Sequence, residues 1–268
     1  MPAKVVSPRN PTVLAAARLK DRRHRSREGA YLIEGLREVE RALANGVTAR
    51  TLFVAPDLPA GGAAGARLSS EAEALGAVMV ELSSEAFKRL SLRQNPDGIA
   101  LVAESRDRSL SLAPALTGVV LVLEGLEKPG NLGALLRTAD ATGVNAVIVT
   151  GTGTDVENPN VIRASQGSLF AVPVYVATAE DAVSRLKGEG FTLVAASPHA
   201  ERPHWSADLS GNVAIVLGTE AEGLSARLSE AADELVAVPM RSRAADSLNV
   251  SVAGAVILYE ALRQRSGS

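Results

Sequence analysis

Asn131, Arg137, Glu220, Ser247 and Asn249 are the side chains of this sequence best suited to chemistry, and they fall in three short segments. These are Asn131-Leu-Gly-Ala-Leu-Leu-Arg137, Leu217-Gly-Thr-Glu220-Ala-Glu-Gly223 and Ser247-Leu-Asn249. The set offers amides, a hydroxyl, a carboxylate and a guanidinium, without histidine and in a chain with no cysteine. Such groups orient a polar substrate. They lack the ligand types and spacing of a metal centre, and no thiol is available as nucleophile.

Each segment is expected at a junction between a strand and a helix, where an α/β sheet presents its ligand site. Asn131 reads either as the N-cap of a helix over 131–142 stopped by Gly143 or as a site residue. The apolar stripe Leu132, Leu135, Leu136, Ala139 belongs on a sheet, and Arg137 points away from it, as a surface arginine or a functional one. Gly218 serves a tight turn or close backbone approach to a ligand. Glu220 beside it is solvated or accepts hydrogen bonds from a cationic or hydroxyl partner. Ser247 is a candidate N-cap for a last helix over 247–263. That helix carries Val250, Val252, Val256, Ile257, Leu258, Tyr259 and Leu262 with almost no polar face before Arg263. An all-round apolar helix must be buried on most sides, which predicts a homodimer packed through it.

The elements that must position these residues can be read from the pattern. Continuous β-branched runs predict strands buried on both faces at 119–123, 146–149, 172–176, 192–196, 213–217 and 235–238. Helices are expected between them at about 159–167, 179–187 and 223–230. Together these predict a mostly parallel sheet of about six strands with helices on both faces. Upstream, strands at 30–34, 51–55, 77–81 and 98–103 alternate with helices at 12–20, 35–44, 68–75 and 83–89, and a Gly/Ala loop covers 60–66. This is a small α/β layer unit. The polar stretch 104–114 is the natural linker, giving domains at 1–107 and 112–268.

Bulk properties narrow the class. A length of 268 residues suits one large or two medium domains, and four Phe, three Tyr and one Trp leave an aliphatic core. No run approaches the ~18 apolar residues of a membrane span and no signal-peptide core is seen, so a cytoplasmic protein is expected. The net charge of −2 hides an asymmetry. Lys and Arg exceed Asp and Glu by four in residues 1–110 and fall short by six in 111–268. The positive excess concentrates at Arg18, Arg22, Arg23, Arg25 and Arg27, either a phosphate-contacting patch or a solvated helix end. Arg163-Ala-Ser165-Gln166-Gly167-Ser168 either touches a substrate or packs a short helix. Thr150-Gly151-Thr-Gly153 lacks the third glycine of a dinucleotide fingerprint, and His199, His204 and Trp205 read as loop residues.

The three segments, in this order, resemble the SpoU (TrmH-type) branch of the SPOUT RNA methyltransferases. The resemblance covers roughly residues 117–264 and rests on Asn131…Arg137-Thr-Ala with Gly143, Leu217-Gly-Thr-Glu220 with Gly223-Leu224, and Pro239-Met240…Ser247-Leu248-Asn249. Residues 19–54, with Tyr31-Leu-Ile-Glu34-Gly35, are similar to the branch's appended RNA substrate-binding domain, itself like small ribosomal proteins. The resemblance implies a trefoil-knotted methyltransferase domain, a rare departure from unknotted topology. It implies S-adenosylmethionine bound on backbone around Leu217, Gly218, Thr219, Val238, Met240 and Leu248. It implies an active site at a homodimer interface, lined by Asn131, Arg137, Glu220, Ser247 and Asn249. RNA contacts would come from Arg18, Arg22, Arg23, Arg25 and Arg163, with no metal and no membrane partner. The implied reaction is ribose 2′-O-methylation, with 23S ribosomal RNA as the expected target and antibiotic resistance as one role for it. A transfer RNA target and a non-catalytic RNA-binding protein are the alternatives. The sequence departs from the branch between Met240 and Ser247, where six residues without glycine add Arg241 and Arg243.

Overall fold

Short β-branched runs separated by capped helices build two sheets, each with its own core. The computed structural model describes residues 3–5, 7–219, 223–241 and 247–266. The chain divides into a first unit, Met1–Asp107 with Asp155–Ala171, and a second, Arg108–Thr154 with Val172–Ser268.

The first unit runs β1 (Ala3–Val5), α1 (Pro11–Arg18), α2 (Arg22–Glu28), β2 (Ala30–Glu34), α3 (Leu36–Ala44), β3 (Ala49–Val54), α4 (Ala63–Ala74), β4 (Val78–Leu82), α5 (Ser84–Leu90) and β5 (Ile99–Glu104). Its sheet has the order β1-β4-β3-β5-β2, parallel across β1, β4 and β3 and antiparallel across β5. Five strands therefore replace the four expected, because three residues at Ala3–Val5 add an edge strand too short to carry a pattern. The expected Gly/Ala loop is already helical from Ala63. The basic cluster is a helix of its own: the Asp21 carboxylate accepts from the Arg23 amide at 2.7 Å, and Gly29 ends α2 with φ 54°. Val13, Leu32, Phe53, Phe87 and Leu90 pack one face of the sheet.

The second unit starts with β6 (Val119–Glu124), α6 (Pro129–Thr142) and β7 (Ala146–Thr150). The chain then contributes α7 (Pro159–Ser165) and α8 (Ser168–Ala171) to the first unit. There Arg37 and Arg41 of α3 donate to the Gln166 side chain at 2.7 Å and its carbonyl at 3.1 Å. These bonds hold Gln166 at φ 51°, the only positive φ at a non-glycine among the described residues. The second unit resumes with β8 (Val174–Ala177), α9 (Ala179–Gly188), β9 (Thr192–Ala196), β10 (Val213–Leu217), α10 (Ala226–Ala231), β11 (Glu234–Val236) and α11 (Val250–Ser266).

Its sheet is the expected one: six strands, all parallel, in the order β11-β9-β10-β6-β7-β8. Side chains alternate between faces along a strand. Val120, Val122, Ala214 and Val216 meet α9 and α10 on one face. Leu217, one residue on, faces α11 on the other. In register, Leu217 lies beside Leu123 and Glu124 beside Thr150, so the carboxyl ends of β10, β6 and β7 finish level. The chain path of the implied knot includes residues 220–222 and 242–246, which lie outside the described residues.

Candidate active site at the carboxyl edge of the parallel sheet

The first segment opens α6, but not as its capping residue. The helix begins at Pro129, where a missing N–H is harmless, with Lys128 in the cap position and no side-chain cap bond. Asn131 therefore sits inside the first turn, and the N-cap expectation for it is corrected. Its Oδ1 instead accepts from Asn249 Nδ2 at 3.2 Å, across 118 positions of sequence. The third segment is corrected in the same way. Asn249, not Ser247, plays the capping part for α11: its Oδ1 accepts from the Ser251 amide at 2.9 Å and from the Ser251 hydroxyl at 2.6 Å. Ser247 is exposed two residues earlier, because the helix starts at Val250.

The meeting of the two asparagines depends on how closely α11 approaches α6. A Cβ at Gly254 would lie 2.5 Å from Leu135 of α6 and 2.6 Å from Leu217 at the end of β10. Any side chain there would have to displace the ends of both leucines, and a large one would have to move the helix. One stripe of α11, including Val250, Ile257, Leu258 and Ala261, is buried here, while Val252 and Tyr259 are 48% and 54% exposed.

The second segment is a backbone construction. Thr219 N donates to Gly223 O at 2.9 Å and Gly223 N returns to Thr219 O at 3.2 Å, pinching the loop shut. A Cβ on Gly218 would stand 2.3 Å from that same Gly223 oxygen, so glycine is required. Glu220, placed in this loop by the sequence, lies outside the described residues. A residue that sequence reasoning passed over anchors the loop: buried Glu124, the last residue of β6, accepts from the Ser225 amide at 2.7 Å. Gly125 follows with φ 63°, and a Cβ there would come 2.9 Å from the Thr219 methyl. An acidic residue ending an otherwise apolar strand was the available signal, since a buried carboxylate needs donors.

Around this edge Leu217 is buried, while Gly218, Thr219, Val238, Met240 and Leu248 are half-buried. Half-burial leaves these residues partly open to a ligand at the end of the sheet. Arg137 is exposed, and its side chain makes no hydrogen bond or ion pair among the described residues. It stands six residues along α6 from Asn131, about 9 Å at 1.5 Å per residue. A single chain thus unites Asn131 with Asn249 and leaves the guanidinium facing solvent.

Of the expected RNA-contacting arginines, Arg18, Arg22, Arg23 and Arg163 are exposed in the first unit. Arg25 is not: it is 4% exposed, donates to the carbonyls of Leu19 and Lys20 at 2.9 Å each, and pairs with Asp155. A buried guanidinium whose two terminal nitrogens are engaged holds the 155–171 segment to α2 and does not face a phosphate. Among the described residues no group of three His, Cys, Asp or Glu could hold a metal ion. No helix among them is long and apolar enough to cross a membrane.

Comparison with known proteins identifies similar sequences and folds. Residues 118–259 match the SpoU rRNA Methylase family, and residues 10–101 match the MRM3-like substrate binding domain. The 23S rRNA (guanosine(2553)-2′-O)-methyltransferase RlmP of Bacillus subtilis is 30% identical, over 96% of this chain and 98% of its own. A crystal structure of an RNA 2′-O ribose methyltransferase is 41% identical, with a TM-score of 0.82, covering 98% of this chain and 99% of the other. An AdoMet-bound rRNA methyltransferase from Sinorhizobium meliloti is 30% identical with a TM-score of 0.88, covering 97% of each chain.

Proposed function

Because the chain belongs to the SpoU rRNA methylase family, we propose that it methylates a ribose 2′-hydroxyl of ribosomal RNA with S-adenosylmethionine. The observation that carries this reading is the Asn131–Asn249 bond at 3.2 Å, which joins two segments far apart in sequence beside the backbone cradle at Gly218. Structurally characterised relatives bind AdoMet or act on the RNA ribose, which supports the same reading. Residues 1–107 would serve as the RNA substrate-binding part and 112–268 as the methyltransferase, working in the cytoplasm on ribosomal RNA.

The donor set suits the cofactor. Gly218 and Thr219, with Val238, Met240 and Leu248, offer backbone groups and half-buried apolar side chains to an adenosyl group. Bound there, the cofactor supplies an electrophilic methyl group on a sulfonium. The task of the protein is to hold the 2′-oxygen in line behind that carbon, where effective molarity removes much of the barrier. Asn131 and Asn249 orient the ribose. Arg137 clamps the adjoining phosphate with its planar fork and stabilises the oxygen as it loses its proton. A guanidinium keeps its proton under all ordinary conditions and is a poor base, so the proton leaves to solvent or a phosphate oxygen. Ser247 and Glu220 complete the polar set.

The site is completed by a second copy of the chain. The outward stripe of α11 carries Val252 and Tyr259, which a twofold partner would cover. The partner's surface would then meet the solvent-facing Arg137.

The test is transfer of a labelled methyl group to separated ribosomal and transfer RNAs, followed by primer extension to map the 2′-O-methyl stop. Label confined to transfer RNA would replace the substrate. No label, with no AdoMet binding by calorimetry, would leave a non-catalytic RNA-binding protein. The DNA version of the mapped target must be inert, since it lacks the accepting hydroxyl.

A further inference from the structure

Ser91-Leu-Arg-Gln-Asn-Pro-Asp-Gly98, between α5 and β5, has the composition of an ordinary solvated turn. It is instead fastened to buried charges. Glu34 and Glu38 are each 5% exposed. The Glu34 carboxylate accepts from the Ser91 hydroxyl and from the Leu92 amide at 2.7 Å. Arg93 Nη2 donates to the Glu34 carbonyl and to Glu38, both at 3.2 Å, and Nη1 pairs with Asp97 at 3.4 Å. Asp97 in turn accepts from the Leu36 amide at 2.9 Å and the Ile99 amide at 3.2 Å. Gly35 makes room for this network: a Cβ there would lie 2.2 Å from Glu38 Oε2 and 2.4 Å from Arg93 Nη2.

So much bracing leaves two side chains unused. Gln94 and Asn95 at the tip are exposed and make no hydrogen bond among the described residues. Cations flank them. Lys88 and Arg89 are exposed in the last turn of α5. On the other side, Lys20 Nζ donates to the Ser91 carbonyl at 2.7 Å and the Arg89 carbonyl at 3.2 Å. That bond ties the start of α2, with exposed Arg22 and Arg23, to the base of the loop.

We propose that the Ser91–Gly98 loop is a preformed RNA-reading element in which Gln94 and Asn95 recognise bases and the flanking Arg and Lys residues hold the adjoining phosphates. A carboxamide presents a donor and an acceptor in one plane, the pattern that pairs with a base edge and discriminates among bases. In RNA such readout falls on unstacked nucleotides of loops and bulges. Preorganisation by buried charges means that little freedom is lost when the bases dock. The tip offers no apolar anchor for a protein partner, since Pro96 is buried and Leu92 half-buried. The inference rests on the RNA-methyltransferase reading and specifies how its target is chosen.

The experiment compares the full-length protein with Gln94→Ala/Asn95→Ala and with Arg22→Ala/Arg23→Ala. Each is titrated with a 23S ribosomal RNA fragment containing the mapped site and with a shuffled RNA of equal composition, at several salt concentrations. The amide variant should lose at least about tenfold of the preference for the true fragment. Its salt slope, Tm and AdoMet affinity should stay at the wild-type values. The arginine variant should bind both RNAs more weakly by a similar factor, with a shallower salt slope. Wild-type preference in the amide variant overturns the inference while the methyltransferase reading stands. So does an equal loss on both RNAs, because that is affinity without base reading. If the unaltered protein binds neither RNA, both readings fall.

Discussion

Around Ser91–Gly98 the first unit fixes a loop with charged side chains, whereas around Gly218 the second fixes one with backbone bonds and missing side chains. The two solutions differ in what they can tolerate. A side-chain network has adjustable parts: an amide can replace a carboxylate and still accept a hydrogen bond. A backbone cradle has none, because a single methyl group at Gly218 would sit 2.3 Å from a carbonyl oxygen. A surface that discriminates among RNAs can therefore drift by substitution, while a surface that receives an invariant cofactor is held by positions where only glycine fits.

The comparison can be broken at its strongest point first. Gly218→Ala should abolish measurable AdoMet binding by calorimetry, and turnover should fall by at least about 10²-fold, the scale of losing one preorganised transition-state contact. Retained affinity would mean that the loop yields and that the cradle is not rigid. Arg137→Lys keeps the charge but loses the fork, so methyl transfer should drop by about 10²-fold with AdoMet binding intact. A near-normal rate in the lysine variant would end the clamp argument.

Smaller effects sharpen the same contrast. Gly254→Leu forces α11 away from α6 and should destabilise the second unit by about 1–3 kcal/mol, read as a lower denaturant midpoint. In the first unit, Glu34→Ala leaves buried donors unpaired and should cost about 1–3 kcal/mol, while Glu34→Gln should lose less than half of that. Equal losses in the two Glu34 variants would contradict the idea of an adjustable network.

The smallest expected change is with pH. The Arg263 guanidinium first, and then the Gln264 amide, hold the Glu260 carboxyl at about 2, against an ordinary value of 4.5. A depressed folded value stabilises above the unfolded pKa and is lost on acidification. The contribution of Glu260 should therefore be complete above about pH 4.5 and fade toward pH 2. Glu260→Gln should flatten the acid limb of a Tm profile over that window, by a small amount because Arg263 is exposed.

Much of the fold was legible because the parallel sheet writes itself in continuous β-branched runs. Ala30–Glu34, Thr192–Ala196 and Val213–Leu217 begin and end where the pattern placed them. The misses share a cause, which is that local rules cannot see which partner wins. A charged helix such as α2 has no apolar period, and a three-residue strand such as β1 has no period at all. Asn131 and Ser247 look like caps, yet helix starts at Pro129 and Val250 displaced both. Arg25 looks like its exposed neighbours until Asp155, 130 positions away, takes its guanidinium. Glu124, just past the expected strand end at 123, was passed over, and its role shows only once the Ser225 amide is found on it.

By itself the sequence determined the kinds of groups available and the periodicities that order them, and from these came six parallel strands and three motif-bearing junctions. Only the tertiary structure decided that Asn131 bonds to Asn249, that Asp155–Ala171 packs with the first unit, and that Gln94 and Asn95 stand on a rigid base. The physical reason is range. Propensity and capping act over a few residues, whereas a buried charge or a missing Cβ acquires its meaning from atoms that folding brings together, at Asn131 and Arg25 across more than a hundred positions.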